Sequence, residues 1–363
     1  MKIDMKILAL DIGAGTEDIL LFDDGKASVE NCIKMVLPAP SLIYAGKVKE
    51  ATRLGKDLYV RGDSIGGGSL ASALRDHVRR GLRVLMTDEA AYTVRNNLGD
   101  VQELGIEISE EEIKEENFDG VILTLEEISL GKLQEFLVAF EENLLDLDIV
   151  AIAVQDHGVF PKGMSNRKSR LKKMREILTE NPKPEALAFI DNGIPPCFLR
   201  MKSAARASKR QLPKTKTLLM DTATDAILGC LQDVAEKRSK RFLVVNVGNG
   251  HTIAALISNG NITGILEHHT RMLSPTKIER FLMDFTNGTI SDNEVYKDGG
   301  HGLFYLTDAP GFTEIDRILA TGPNRRLLAE SNLRICFANP AGDVMMTGPI
   351  GLVEAATRKL RYE

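Results

Sequence analysis

The chain has 363 residues, with 46 Lys and Arg against 51 Asp and Glu, a formal net charge of −5 and a pI near 5.8. That balance supplies no general drive toward nucleic acid or an anionic membrane, and the lack of Trp argues against a platform for stacking single-stranded bases. A hydrophobic content of 43% suits a soluble chain long enough for two cores; the apolar runs fall short of the roughly 18 residues of a membrane span, and no signal pattern opens the sequence, so a cytoplasmic location is expected.

The first element is LALDIGAGTEDILLFDDG, residues 8–25: an apolar run ending near Asp11, a Gly-x-Gly turn and a second apolar run. A dinucleotide fingerprint needs a third glycine at position 18 followed by a helix. Asp18 and then Ile19, Leu20, Leu21 and Phe22 predict a hairpin instead. SVENCIKMVLP continues as a third β segment. Residues from about 38 to 118 read as an insertion, in which LYVRGDSIGGGSLASALRDHVRRGLRVLMT predicts strand, Gly-rich loop, helix and strand. Free N–H groups at the start of that helix make Gly66, Gly67 and Gly68 candidates for holding a substrate phosphate or carboxylate.

LGKLQEFLVAFEENLLDL (130–147) has helical period, and IVAIAVQ (149–155) predicts a buried strand. The basic segment RMKSAARASKRQLPKTKT (200–217) reads as a solvated connector. TATDAILGCL (222–231) predicts a helix with Asp221 at its N-cap and Asp225 in its first turn, where the macrodipole favours an ionised carboxylate. VVNVGNGHTIAALISNG (244–260) then aligns without a gap on ALDIGAGTEDILLFDDG (9–25), matching Asp11 with Asn246, Gly13 with Gly248, Gly15 with Gly250 and Gly25 with Gly260. A β segment, NITGILEHHT, a helix, SPTKIERFLMDFTNG, and a strand, RILATG, follow. Each half is thus a three-stranded antiparallel start followed by helices and strands. The fold class is α/β, with halves at 1–205 and 206–363.

Glycine at alternate turn positions lets backbone N–H groups line one concavity, for which phosphate is the usual occupant. A carboxylate just before it, Asp11, suits a hydrated Mg²⁺ beside phosphate oxygens. Cys32, Cys197, Cys230 and Cys336 lie more than 30 positions apart, which gives neither a Cys-x-x-Cys pair nor a cluster-binding run, and they read as buried thiols. His268 and His269 are adjacent and point to opposite faces of a strand, so with His301 they make a poor chelating set and no histidine metal site is expected.

DIGAGTEDILLF resembles the first phosphate motif of the actin, Hsp70 and sugar kinase superfamily, and VVNVGNGHTIAALI resembles the second. RILATGPNRRLLAESNLRICFANPAGDVMMTGPIGLVEAA (317–356) is similar to its adenosine motif. The resemblance implies two RNase H-like (actin-like ATPase) lobes, an interlobe nucleotide cleft and an insertion in the first lobe. It implies ATP and Mg²⁺ as cofactors. Gly13, Ala14, Gly15, Thr16, Gly248, Asn249, Gly250, His251 and Thr252 would surround the phosphates; Gly322, Pro323 and Gly348 would surround the adenosine; Asp11 and Asn246 would lie at the metal.

IVAIAVQDHG is similar to the sugar-contacting corner of carbohydrate kinases, which makes Gln155, Asp156 and His157 substrate candidates. TATDAILGCL is similar to the helix start that carries those kinases' catalytic aspartate, which makes Asp225 the candidate base, with Asp11 completing the catalytic pair as the Mg²⁺ anchor. The implied activity is phosphoryl transfer to a small molecule, or alternatively a nucleotide-regulated switch or activator ATPase acting on a partner protein. Asn246 departs from the usual aspartate of the second motif and adds no charge to a metal site. The whole chain resembles an archaeal and bacterial family of this superfamily that has carried the label of a pyruvate formate-lyase activating enzyme. Such activators need three closely spaced cysteines, which this sequence lacks.

Overall fold

The computed structural model describes residues 5–109, 113–159, 165–233 and 240–361. The predicted hairpin forms from β1 (Lys6–Ile12) and β2 (Thr16–Asp23), antiparallel with Asp11 opposite Asp18, and β3 (Ile33–Pro38) adds to β2. The chain then leaves this sheet. β4 (Leu58–Gly62), β5 (Val84–Thr87), β6 (Glu107–Ser109) and β7 (Val121–Leu125) form a separate parallel sheet in the order β6-β5-β4-β7. The helix Gly68–Arg79 between β4 and β5 fits the predicted order, and the sheet continues past residue 118 to Leu125.

β8 (Ile149–Val154) returns to the first sheet parallel to β1, followed by β9 (Ala188–Ile190) and β10 (Lys216–Met220), to give the order β3-β2-β1-β8-β10-β9. All six residues of β8 are buried, because a central parallel strand is covered on both faces and reads as an unbroken apolar run. β10 lies beyond residue 205, so the first sheet draws on residues of the second half as it was read from sequence.

Two further expectations need correction. The basic segment from 200 is no solvated connector: Leu199–Gln211 is a helix that buries Met201, Ser203, Ala204, Ala207 and Ser208. Its small residues recur at helical spacing and its long basic ones mostly point away, so composition masked an amphipathic face. Of the four cysteines, Cys32 and Cys230 are buried, Cys197 is partly covered and Cys336 is exposed.

The second sheet comprises β11 (Arg241–Val247), β12 (His251–Ser258), β13 (Asn261–His269), β14 (Gly302–Tyr305), β15 (Arg317–Thr321) and β16 (Ile335–Phe337), ordered β14-β13-β12-β11-β15-β16. Both large sheets share one plan: a three-stranded antiparallel meander whose first strand also pairs, on its other side, with a parallel strand that in turn pairs with a second parallel strand. The meander is what the sequence repeat predicts, and the full order is the RNase H-like one that the resemblance implies. Among the described residues no helix is long and apolar enough to cross a membrane.

Two helices tie the sheets together. Thr222–Gln232, which follows β10 of the first sheet, packs Ala223, Ile227 and Cys230 with Phe242, Val244 and Ile253 of the second. Thr347–Arg361, which follows the second sheet, packs Ile350, Leu352 and Ala355 with Ile7, Ala9 and Ile149 of the first. The helices cross so closely that a Cβ on Gly229 would overlap Thr347 O and one on Gly351 would overlap Asp225 O. Gly229→Ala is therefore expected to lower stability by about 2 kcal/mol or more, seen as a lower urea midpoint. Gly131→Ala, in the helix Leu130–Val138 with open space around its Cα, should be neutral or stabilising, and equal behaviour of the two variants would contradict the packing argument.

Candidate functional site

A cleft of about 570 Å³ opens between the two hairpins and is walled in part by the insertion. Each hairpin closes in the same way, with Gly13 N donating to Thr16 O and Gly248 N donating to His251 O, both at 2.9 Å. Their tips face one another: a Cβ on Gly15 would overlap Asn249 Nδ2, and one on Gly250 would lie 3.8 Å from Ala14 Cβ. Among the described residues no hydrogen bond occupies the N–H of Ala14, Gly15, Asn249 or Gly250. Opposed main-chain donors of this kind suit an anion.

The lack of a Cβ at these glycines also answers to close approach. None of Gly13, Gly15, Gly248 and Gly250 has a left-handed φ; Gly15 is required by the side chain of Asn249, and Gly248 by His251 O, 2.8 Å from where its Cβ would be. Thr252, expected beside phosphate, is buried and shares a 3.0 Å hydrogen bond with Thr270, whose Oγ1 braces Gly248 O at 2.8 Å. Thr16 lines the cleft. Gly322 has φ 98 and touches the end of β11, where a Cβ would lie 2.5 Å from Val247 O and 2.6 Å from Asn246 Oδ1. Pro323 and Asn246 also line the cleft, and a Cβ on Gly348 would overlap Asp11 Oδ2, so that glycine makes room for the carboxylate.

Acidic groups lie in the cleft wall and buried beyond it. Asp11 Oδ1, Asp18 Oδ1 and Asp225 Oδ2 are buried oxygens without hydrogen-bond partners. Burial, reinforced by Asp18 and Asp221, holds the Asp11 carboxyl well above the usual range, and burial raises Asp18 to about 7. Asp225 is also pushed well up, by burial first and by Asp11 second. The expectation that the helix N-terminus keeps Asp225 ionised is therefore corrected: a macrodipole contributes about 0.3–1 kcal/mol, whereas full burial shifts a carboxyl by up to about 3–5 pKa units. Asp225 is 0% exposed and does not line the cleft. Asp11 and Asp18 line the cleft, and the unpartnered oxygen of Asp11 could serve a divalent cation reached from that side.

Asp221 caps its helix through Ala223 N at 3.0 Å and takes a two-pronged ion pair from Arg170, Nη1 to Oδ2 at 2.5 Å and Nη2 to Oδ1 at 2.8 Å. Arg170 is 1% exposed and also donates from Nε to Glu267 Oε2 at 3.1 Å. Arg200 pairs with Glu127 and donates to Gln155 O at 2.9 Å. The proposed sugar corner is largely committed to internal bonds. Gln155 Nε2 donates to Glu267 Oε1 at 3.0 Å, and Asp156 accepts from Gly158 N and Met201 N at 2.8 and 3.1 Å. Gly66 and Gly67 line the cleft pressed against Arg200 and Thr93, with Gly68 beside them opening its helix.

His157, unlike its neighbours, turns into a group of imidazoles. His157 lies 5.9 Å from His251 and 5.5 Å from His301 between ring centroids, and His269 lies 4.8 Å from His251 and 5.0 Å from His301. Burial lowers His157 well below its ordinary value and His251 to about 3. The imidazoles that gather are not the set His268, His269 and His301 weighed from the sequence, and strand register decides which they are. His268 and His269 do face opposite ways, His268 bonding Asp298 at 2.9 Å, but His269 pairs across the sheet with His251, and His301 N donates to Glu267 O. Alternation along β13 places Glu267 and His269 on one face, a signal the sequence held. Arg170 left none, sitting in the basic run NRKSRLKKMREILTE.

Residues 65–327 match the family model described as "Putative pyruvate format-lyase activating enzyme (DUF1786)". No curated protein matches the sequence. Among solved structures, the chain is similar to the PilM-PilN type IV pilus biogenesis complex (11% identity, 98% of this chain and 99% of that one, TM-score 0.42). It is also similar to a ROK hexokinase from Thermus thermophilus (12%, 99% and 100%, TM-score 0.33). A third is a protein of unknown function with an actin-like ATPase fold from Bacteroides thetaiotaomicron (9%, 96% and 96%, TM-score 0.34). The strand order of the two large sheets, rather than these likenesses, carries the argument that the fold is of the actin-like ATPase type.

Asp18 binds its proton more tightly folded than unfolded, with a value near 7 against 3.8. Its burial is without penalty below about pH 4 and destabilises progressively as the pH rises to about 7. Asp18→Asn should accordingly raise stability at pH 8 by about 1 kcal/mol or more and leave it nearly unchanged at pH 4, checked by denaturant unfolding at the two pH values. An equal gain at both would refute the electrostatic cause.

Proposed function

The chain belongs to the DUF1786 family, and we propose that this protein binds a nucleoside triphosphate with Mg²⁺ between its two hairpin tips and transfers a phosphoryl group to a small molecule. The observation that carries the reading is the opposition of Ala14 and Gly15 to Asn249 and Gly250 above the unpartnered oxygen of Asp11. The tips supply main-chain donors to the phosphate tail, and Asp11, with neutral Asn246 nearby, holds the cation. The cation neutralises charge that develops on the transferred group, and the protein contributes mainly position. Gly322, Pro323 and Gly348 bound the adenosine side. The acceptor lies toward Gly66, Gly67 and Gly68 and His157, where the insertion shapes the wall. Cleft closure accompanies binding. The activating-enzyme chemistry named in the family description has no three-cysteine run to support it.

Asp225 favours a second reading, in which nucleotide binding switches the protein for a partner rather than driving transfer. A base must reach the attacking hydroxyl, and this carboxyl is enclosed at the helix crossing. Isothermal titration with Mg·ATP is expected to show binding that Asp11→Asn weakens at least about tenfold, a loss of about 1.4 kcal/mol. A wild-type chain that gives no heat of binding ends both readings. ADP release stimulated by one member of a panel of polyols and small acids supports transfer. Slow, acceptor-independent turnover with a nucleotide-dependent change in proteolytic pattern supports the switch.

A further inference from the structure

Besides the carboxylates Asp11 and Asp18, the cleft contains a second cluster of different chemistry. His157 follows β8 of the first sheet, whereas His251 opens β12 and His301 precedes β14 of the second. Their nitrogen donors all lie within 4.8 Å of one another. His301 is 1% exposed, and neither of its ring nitrogens, nor Nε2 of His251, has a hydrogen-bond partner. Leaving such a buried group unsatisfied is costly unless a ligand takes its lone pair. Behind them stands Glu267, itself 1% exposed, with Oε2 3.2 Å from His301 Nδ1 and its position fixed by Arg170 and Gln155. A carboxylate on the far nitrogen of an imidazole is the usual support of a metal-bound histidine.

We propose that His157, His251 and His301 bind one divalent first-row transition ion, with zinc as the type, and that Glu267 is the positioning residue for His301. Imidazole nitrogen selects such ions over Mg²⁺, which takes oxygen, so this site is chemically distinct from that at Asp11. Tetrahedral coordination at about 2.0–2.1 Å places donor nitrogens about 3.4 Å apart. The three rings must therefore draw together, and because His157 belongs to the first sheet and the others to the second, the ion links the two. Three protein ligands leave a fourth position open to the cleft, where the ion can polarise an oxygen of a bound molecule. The inference does not depend on the nucleotide reading, since the ion is held with or without ATP.

The test uses the untagged full-length chain, stripped with a chelator and titrated with Zn²⁺ and with Co²⁺. One ion per chain should survive gel filtration, Co²⁺ should give the visible absorption of a four-coordinate centre, and Zn²⁺ should raise the thermal midpoint. His157→Asn and His251→Asn, both at partly exposed positions, should each weaken Zn²⁺ binding at least about tenfold while circular dichroism stays unchanged. X-ray absorption of the wild-type zinc complex should show three imidazoles, a readout that holds even if a variant misfolds. A wild-type chain that retains no stoichiometric ion, variants that bind like wild type, or a shell without imidazole each overturns the proposal. Failure of Mg·ATP binding leaves it intact.

Discussion

The backbone contact between Gly229 and Gly351 sets the geometry of everything above it. Two helices can approach this closely only where neither carries a Cβ, and their approach fixes how far apart the two large sheets lie. The same turns carry the chemistry: Gly348 leaves space for Asp11 one turn before the crossing, and Asp225 lies beside Gly351 within it. Separation of the hairpin tips and placement of the acidic groups are thus consequences of one packing constraint.

Buried charge in this cleft falls into two classes. Arg170 and Arg200 are each matched by carboxylates in good geometry, and removal of either partner of such a pair leaves an uncompensated ion. Asp11, Asp18 and Asp225 have no such match, and their carboxyls rise accordingly. The arginines of the cleft are thus matched by carboxylates, whereas one oxygen of each of these three acids is left without a hydrogen-bond partner.

Most of the fold was legible because its signals are local. A Gly-x-Gly turn between apolar runs defines a hairpin from about a dozen residues, and the ungapped match of 9–25 with 244–260 made two such hairpins a repeat. That they would face each other followed from the resemblance and is met by the contacts of Gly15 and Gly250. What stayed hidden depends on distant partners. Arg170 looks like any basic helix residue until Asp221 and Glu267 are placed against it, and the histidines separate by 94 positions from His157 to His251 before strand register unites them. Asp225 was assigned correctly to a first helical turn, but its protonation depends on enclosure by a helix more than a hundred residues later.

The exchange of helices between sheets has a consequence for how the chain matures. One face of the first sheet is sealed by Thr347–Arg361, so β1 and β8 are synthesised well before part of their covering. Until residues beyond 347 emerge from the ribosome, Ile7, Ala9 and Ile149 remain open to water or to a chaperone. The first half therefore cannot be completed as an independent unit during translation, and its final packing is a late, long-range event.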